Sequence, residues 1–102
     1  MSLDIGVRAT REVEIFDRNI TYNLSKMYYK CIPGGFKTLD GMSCKEALPI
    51  LQKAIEDLIV NQEEYEKLNP ENGWGTYYDL LETIKGMRNC CEDNPDGFID
   101  VC

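Results

Sequence analysis

Residues 13–31 have the sequence VEIFDRNITYNLSKMYYKC, and the predicted fold depends mainly on this stretch. Its apolar side chains recur at steps of three and four, which is the period of one face of an amphipathic helix. They are Val13, Phe16, Ile20, Leu24, Met27, Tyr28 and Cys31. Thr10 is a suitable N-cap, and Glu12 and Glu14 fall where the helix dipole favours acidic residues. We therefore expect a long first helix over residues 13–31.

Two more helices are indicated downstream by capping signals. Ser43 and Glu46 form a capping-box pattern ahead of an apolar stripe that continues to Leu58. Thr76 and Asp79 repeat the pattern ahead of a last helix that carries apolar groups as far as Cys91. Between them, Asn61 and Glu64 form a weaker capping box, which favours a separate short helical turn over residues 62–68. These three boxes divide the second half of the chain into helices with short connections.

The C-terminal residues have the character of a turn followed by a strand. Residues 94–97, NPDG, are turn-forming, and residues 98–101, FIDV, follow them. We expect residues 98–101 to pair with residues 5–8. The whole chain, residues 1–102, is then expected to be one mainly α domain. The predicted architecture is a small three-helix antiparallel bundle, with a short two-stranded pairing of the N- and C-terminal segments.

Composition limits the function classes. The chain has 18 acidic and 11 basic residues and a net charge of −7. A field of this sign repels phosphate backbones, and the basic residues are scattered, so nucleic-acid binding is disfavoured. No apolar run approaches the ~18 residues that a membrane span needs, and the N-terminus lacks the layout of a signal peptide. We expect a cytoplasmic protein without membrane association.

Five cysteines and no histidine bear on metal and redox chemistry. Zinc sites favour Cys-x-x-Cys knuckles or histidine partners, so no metal or cofactor is expected, and the thiols are interpreted as reduced and apolar. An alternative is that Cys90 and Cys91 act as a thiol pair that senses redox state or binds a soft metal. Another alternative is a calcium loop over residues 92–100, although the chain ends before the bidentate glutamate of such a loop.

Catalysis is not expected. Without histidine the commonest general base is absent, and so are the Ser-His and Cys-His pairs of nucleophilic enzymes. The carboxylate pairs lie in polar stretches that give no reason for a raised pKa. No catalytic residue is therefore assigned.

The expected binding residues cluster around the single tryptophan. Residues 69–76 read NPENGWGT, which places Trp74 between two glycines just ahead of the last helix. Asn72 lies in the same loop, and Tyr77 and Tyr78 follow it; such aromatic and amide groups make good contact surfaces. Two further amides lie four residues apart in the first predicted helix, beside its apolar stripe. We expect them either to anchor this loop or to line a polar pocket. They are Asn19 and Asn23.

The sequence resembles a group of short proteins of unknown function found in bacteriophages and bacterial genomes. The similar strings are REVE at 11–14, NITxNL at 19–24, NPENGWGTY at 69–77 and NPD at 94–96. Residues 31–42 and the cysteines depart from the pattern. The resemblance implies an origin and a shared fold but no mechanism. A phage-like origin favours a small protein that binds and blocks a host factor.

Three functional hypotheses follow from these observations. The first is a non-enzymatic interaction protein that contacts a protein partner through the Trp74 loop. The second is a small-molecule or ion binder whose polar pocket is lined by Asn19, Asn23 and that loop. The third is an acidic decoy of nucleic acid, which the scattered carboxylates disfavour. Self-association is also compatible with a domain of this size.

Overall fold

Strands occupy most of the first 21 residues of the chain. The computed structural model describes residues 2–10, 13–73 and 75–102. Its three strands are β1 (Ser2–Arg8), β2 (Glu14–Thr21) and β3 (Phe98–Val101). They form an antiparallel sheet in the order β2-β1-β3.

Helices make up most of the chain between β2 and β3. Two are long, namely α2 (Cys44–Val60) and α4 (Tyr77–Asp93), and two are short, namely α1 (Ser25–Cys31) and α3 (Gln62–Glu66). Single 3-10 turns at Tyr22–Leu24 and Phe36–Leu39 precede α1 and α2. The described helices and the three strands together form a mixed α/β fold.

The prediction of a mainly α, three-helix bundle is therefore wrong, and the error lies in residues 13–31. Phe16 and Ile20 are four residues apart, and that spacing puts two side chains on one face of a helix and also on one face of a strand. The strand is realised because β1 lies alongside, with Val7 opposite Phe16 and Leu3 opposite Ile20. Helical structure begins only at residue 22, and Thr21 rather than Thr10 is the N-cap there.

The predicted pairing of the chain's two terminal segments is confirmed. β1 and β3 are antiparallel, with Ile5 opposite Val101 and Arg8 opposite Phe98. The Arg8 guanidinium Nε lies 3.0 Å from Asp100 Oδ2 on the adjacent strand. The missed feature is the third strand, β2, on the other side of β1.

The helix starts predicted from capping patterns are largely confirmed. Ser43 accepts a hydrogen bond from the Glu46 N–H, and Thr76 and Asp79 form a complete capping box. The capping box predicted at Asn61 is wrong, although α3 begins directly after it. The Asn61 amide instead donates to Asp57 Oδ1 at 2.8 Å, back along α2.

One face of the sheet is apolar and contributes to the core. Its buried side chains are Leu3, Ile5, Val7, Ile20, Ile99 and Val101. Helix α4 packs on β1 and β2, and α2 packs on α4. Gly86 allows α4 to approach β2 closely, because a Cβ at that position would lie only 2.6 Å from Phe16 Cε2. Among the described residues, no helix is both long and apolar enough to cross a bilayer.

Candidate functional site

The loop of residues 69–76 is tied to the start of α4 at both of its ends. The Tyr77 N–H donates to Asn69 Oδ1 at 2.8 Å, and the Thr76 N–H donates to Asp79 Oδ2 at 2.8 Å. These bonds satisfy backbone donors that the first turn of a helix leaves free. Trp74 lies outside the described residues, so its predicted contact role stays a prediction.

Two glycines of this loop have left-handed backbone conformations with different surroundings. Gly75 has φ +97°, and a Cβ there would lie 2.8 Å from Thr21 Cγ2 and 3.1 Å from Leu24 Cγ. The loop therefore runs close against the end of β2. Gly73 has φ +74°, and nothing lies within 4 Å of its ideal Cβ. This part of the loop faces open space.

The two tyrosines after the loop have opposite roles. Tyr77 is buried, and its hydroxyl donates to the Leu58 carbonyl at 2.5 Å. Burial raises the pKa of this phenol above its ordinary value. Tyr78 is 57% exposed, and its ring meets that of Tyr77 edge-on, with centroids 5.2 Å apart. Only Tyr78 is thus placed to contact a partner.

Tyr78, near the start of α4, lies beside the first residue of α3. Its hydroxyl accepts a hydrogen bond from Gln62 Nε2 at 3.2 Å, at the first residue of α3. Ile59 and Val60, at the end of α2, are 53% and 79% exposed. We call these four residues, Ile59, Val60, Gln62 and Tyr78, the open end. Ile59 directly follows Leu58, the last residue of the predicted apolar stripe of α2, and no pattern in the sequence indicates that it is exposed.

The three predicted asparagines lie in three different segments of the fold. Asn19 is in β2, where its amide donates to Ser2 Oγ at 2.8 Å and to Asp4 Oδ1 at 2.9 Å. Asn23 is in the 3-10 turn, and its amide donates to Thr21 Oγ1 at 3.0 Å. Their expected position on one helical face is therefore wrong, because β2 ends between them. Asn72 is exposed in the loop, as a contact residue there must be.

A polar cleft separates the 3-10 turn before α1 from the start of the loop. Its volume is about 450 Å³, and its lining residues are Tyr22, Asn23, Ser25, Lys26, Lys67, Leu68, Asn69, Pro70 and Glu71. Asn23 borders this cleft, whereas Asn19 lies on β2 and does not line it, so the predicted polar pocket stays a prediction. Neither Lys26 nor Lys67 forms an ion pair with any residue that the structure describes.

A larger groove lies between α1 and α2 and was not predicted. Its volume is about 660 Å³, and it is lined by Lys30, Cys31, Pro33, Ile50, Lys53, Glu56, Asp57, Val60 and Asn61. Two of its charged groups have partners: Asp57 accepts from Asn61 and from the Tyr65 hydroxyl, and Lys30 pairs with Glu64 at 3.3 Å. The available sequence signal for this groove was the spacing of Lys53, Asp57 and Val60, which places the three residues along one side of α2.

The groove offers no activated nucleophile. Burial raises the pKa of the Cys31 thiol to about 12, so this thiol is protonated at neutral pH. Its Sγ lies 3.7 Å from the Tyr28 carbonyl, to which the thiol donates.

Two residues of the alternative calcium loop are bonded to other groups of the protein. The Asn94 amide donates to the Cys90 carbonyl at 2.9 Å, and Asp100 pairs with Arg8. Across the described ranges, no three cysteine, aspartate or glutamate side chains converge to hold a metal ion.

Comparison with known proteins adds no relative: no family model, curated protein or solved structure matches this chain.

Proposed function

We propose that this chain is a small, acidic, non-enzymatic binding protein that contacts a protein partner through its open end and the adjoining Trp74 loop. The proposal is supported mainly by the exposure of apolar side chains at the open end. Of six large apolar side chains exposed in the described residues, three belong to the open end as defined above, namely Ile59, Val60 and Tyr78. Singly exposed apolar residues are ordinary, whereas a group of them beside a tied loop is typical of an interaction surface.

The surroundings of the open end suggest the chemistry of its partner. Glu63, Glu64 and Glu66 follow Gln62 along α3, and all three border the same shallow depression as Val60. An apolar centre with a carboxylate rim fits a partner surface that has an apolar pocket flanked by lysine or arginine. The resemblance to short phage proteins makes a host factor the partner class that we propose.

We place this activity in the cytoplasm. All five cysteines are free thiols, which fits a reducing compartment. Free thiols in this number are uncommon among small secreted domains, which use their cysteines as a disulfide framework.

Affinity capture with matched variants tests the proposal. Tagged wild-type protein, Tyr78→Ser and Tyr29→Ser are expressed in the native host, and the captured proteins are quantified by mass spectrometry. Tyr29 is the control, because it is a tyrosine with nearly the same exposure, 54% against 57%, on α1. We expect Tyr78→Ser to lose the partner by about tenfold or more, as central aromatic contacts do, and Tyr29→Ser to keep it. Equal capture by both variants contradicts the proposal.

Self-association is checked on the same variants by sedimentation velocity. A dimer that dissociates in Tyr78→Ser but persists in Tyr29→Ser identifies a second copy of the chain as the partner. A monomer in all three samples leaves a different protein as the partner.

A second function, binding of a small anion, is favoured by the polar cleft. In a chain with net charge −7, Lys26 and Lys67 both border this cleft and have no described carboxylate partner. Two ammonium groups beside asparagine and serine suit a small carboxylate or phosphate, and they outnumber the single carboxylate of the lining, Glu71. Titration with citrate and inorganic phosphate, followed by NMR, is expected to shift the amides of residues 22–26 and 67–71. Lys26→Gln with Lys67→Gln should abolish those shifts, and shifts that survive the double substitution contradict this assignment.

A further inference from the structure

The two edges of the sheet differ in what covers them. Residues 40–43 run along the outer side of β3, where the Gly41 N–H donates to the Ile99 carbonyl at 2.8 Å and the Ile99 N–H donates to the Met42 carbonyl at 2.9 Å. Strand β2 forms the other edge, and among the described residues no strand pairs with its outer side. Most residues of β2 are also exposed. We call this uncovered outer side of the strand the β2 edge.

Hydrogen bonds at the end of the sheet show which backbone groups of β2 point outward. Asp4 and Cys102 exchange two backbone bonds, of 3.1 and 2.9 Å, so the N–H and C=O of Asp4 point toward β3. These groups alternate in direction along a strand, so those of residues 3, 5 and 7 point toward β2. Their partners there are residues 20, 18 and 16, as in Ile5 opposite Arg18. The backbone groups that point to the β2 edge therefore belong to Asp17, Asn19 and Thr21.

We propose that β2 pairs along this edge with β2 of a second copy of the chain, in antiparallel orientation, so that the two sheets become one continuous sheet. Outward N–H and C=O groups on an edge strand are a template for another strand. Val13 and Ile15, which are 50% and 37% exposed, add apolar side chains at the start of the same strand. The inference is independent of the proposed partner-binding function, because the open end lies on the helices.

Charge restricts the register of such a pair. In an antiparallel pair of identical strands, the residue at the two-fold axis lies opposite itself. An axis at Asp17 brings two carboxylates together and an axis at Arg18 brings two guanidinium groups together, and like charges directly opposite each other are destabilising. An axis at Phe16 places the part of β2 where its register with β1 shifts inside the pairing. Axes nearer either end of β2 leave fewer pairs, so the remaining central residue is Asn19.

An axis at Asn19 gives each side chain a compatible neighbour. Two amides lie opposite each other at the axis, and Arg18 lies opposite Ile20 of the second copy, against which its aliphatic stem packs. Asp17 lies opposite Thr21 of the second copy. The Thr21 hydroxyl oxygen accepts a backbone N–H of the following 3-10 turn at 3.2 Å, so its own proton is available to the opposite carboxylate. The strand is thus complementary to itself, which makes a second copy the partner.

Amide hydrogen exchange on the reduced full chain tests this pairing. Because only residues 17–21 of each strand pair, we expect a weak dimer with a dissociation constant on the order of 100 µM. Exchange is run at concentrations about tenfold below and about tenfold above that constant, and each amide is read after electron-transfer fragmentation.

The expected result is an alternating pattern along β2. The amides of residues 16, 18 and 20 are bonded to β1, so they should exchange slowly and equally in both samples. Those of Asp17, Asn19 and Thr21 should exchange about fourfold more slowly in the concentrated sample, because most of the chain is then in the dimer. Equal rates in the two samples at these three amides overturn the proposal.

Sedimentation velocity on matched variants tests the position of the axis. Asn19→Lys places two ammonium groups opposite each other and should be a monomer. Asn19→Ala is the control, because it loses the same bonds to Ser2 and Asp4 without adding charge, and it should keep the dimer. Dimers in both variants, or monomers in both, overturn the proposal. Should Asn19→Lys fail to fold, hydrogen exchange on the unaltered chain still decides.

The same measurement separates this dimer from the function proposed for the open end. Tyr78→Ser leaves β2 unchanged, so the dimer should persist in that variant. Dissociation in Tyr78→Ser overturns the proposal, because it places self-association at the open end.

Discussion

The two ends of the α2–α4 pair differ in what covers the helix termini. At one end, which we define by Cys44, Cys91 and Gly97 and call the sealed end, the Cys44 N–H donates to the Gly97 carbonyl, and the side chains of Cys44 and Cys91 are both buried. At the open end, α2 finishes in the exposed pair Ile59 and Val60, and α4 starts beside them with the exposed Tyr78. The same two helices therefore have buried side chains at one end and exposed apolar side chains at the other.

This difference separates structural from functional residues. The sealed end buries its side chains because the chain returns to the sheet there, and Cys44 and Gly97 are linked through their backbones. At the open end the chain instead leaves through α3 and the loop of residues 69–76, which leaves apolar area uncovered. We expect substitutions at the sealed end to change stability, and those at the open end to change binding.

The largest expected difference is between two adjacent tyrosines. Tyr77→Ala removes a buried ring and the hydrogen bond to Leu58, so it should reduce the free energy of unfolding by about 4 kcal/mol. Tyr78→Ala removes an exposed ring and should cost less than about 1 kcal/mol. Urea denaturation measures both. Similar losses for the two variants would mean that Tyr78 is part of the core and not of a contact surface.

Two glycines give a smaller contrast of the same kind. Gly97→Ala at the sealed end places a Cβ 2.6 Å from the Arg8 carbonyl oxygen, a backbone atom, so we expect a loss of about 3 kcal/mol. Gly73→Ala meets no atom within 4 Å, and its cost of about 1 kcal/mol comes only from the left-handed backbone. Thermal unfolding of the two variants checks this order. A more stable Gly97→Ala protein would show that the turn of residues 94–97 is not tightly packed.

The smallest expected effect on stability is that of raising the pH from 7 to 9. Burial raises the pKa of Tyr28 from an ordinary value of 10.0 to about 12, and that of the Cys31 thiol from 9.0 to about 12. The folded state therefore keeps protons that the unfolded state releases, so this contribution is complete below about pH 9 and is lost as pH rises to 12. Urea midpoints should be constant from pH 7 to 9 and then fall. A midpoint that stays level to pH 11 contradicts the burial of these groups.

Local signals in the sequence predicted a large part of the fold. Caps at Ser43 and Thr76 located the starts of α2 and α4, since a side-chain oxygen that satisfies free N–H groups is a property of a few adjacent residues. The turn at residues 94–97 and the pairing of β3 with residues 5–8 were also predictable. The caps and the turn depend on short-range chemistry, whereas the pairing of β3 with residues 5–8 joins distant parts of the chain and was indicated by the apolar character of both segments.

The strand β2 could not be located in that way. Its apolar side chains Phe16 and Ile20 fit both periods, and only the presence of β1 alongside decides between them. That error also misplaced Asn19 and Asn23, whose expected common face disappeared with the helix. Of the predicted contact residues, Tyr78 and Asn72 are exposed and Tyr77 is a core residue, and the contact role of the exposed ones stays a prediction.

Site-specific photo-crosslinking tests directly whether the open end is the binding surface. A benzophenone amino acid replaces Tyr78 in one sample and Tyr29 in another, and both proteins are irradiated in the native host. We expect a covalent adduct of defined mass from position 78 and none from position 29. Adducts of equal yield from both positions, or from position 29 alone, would contradict it.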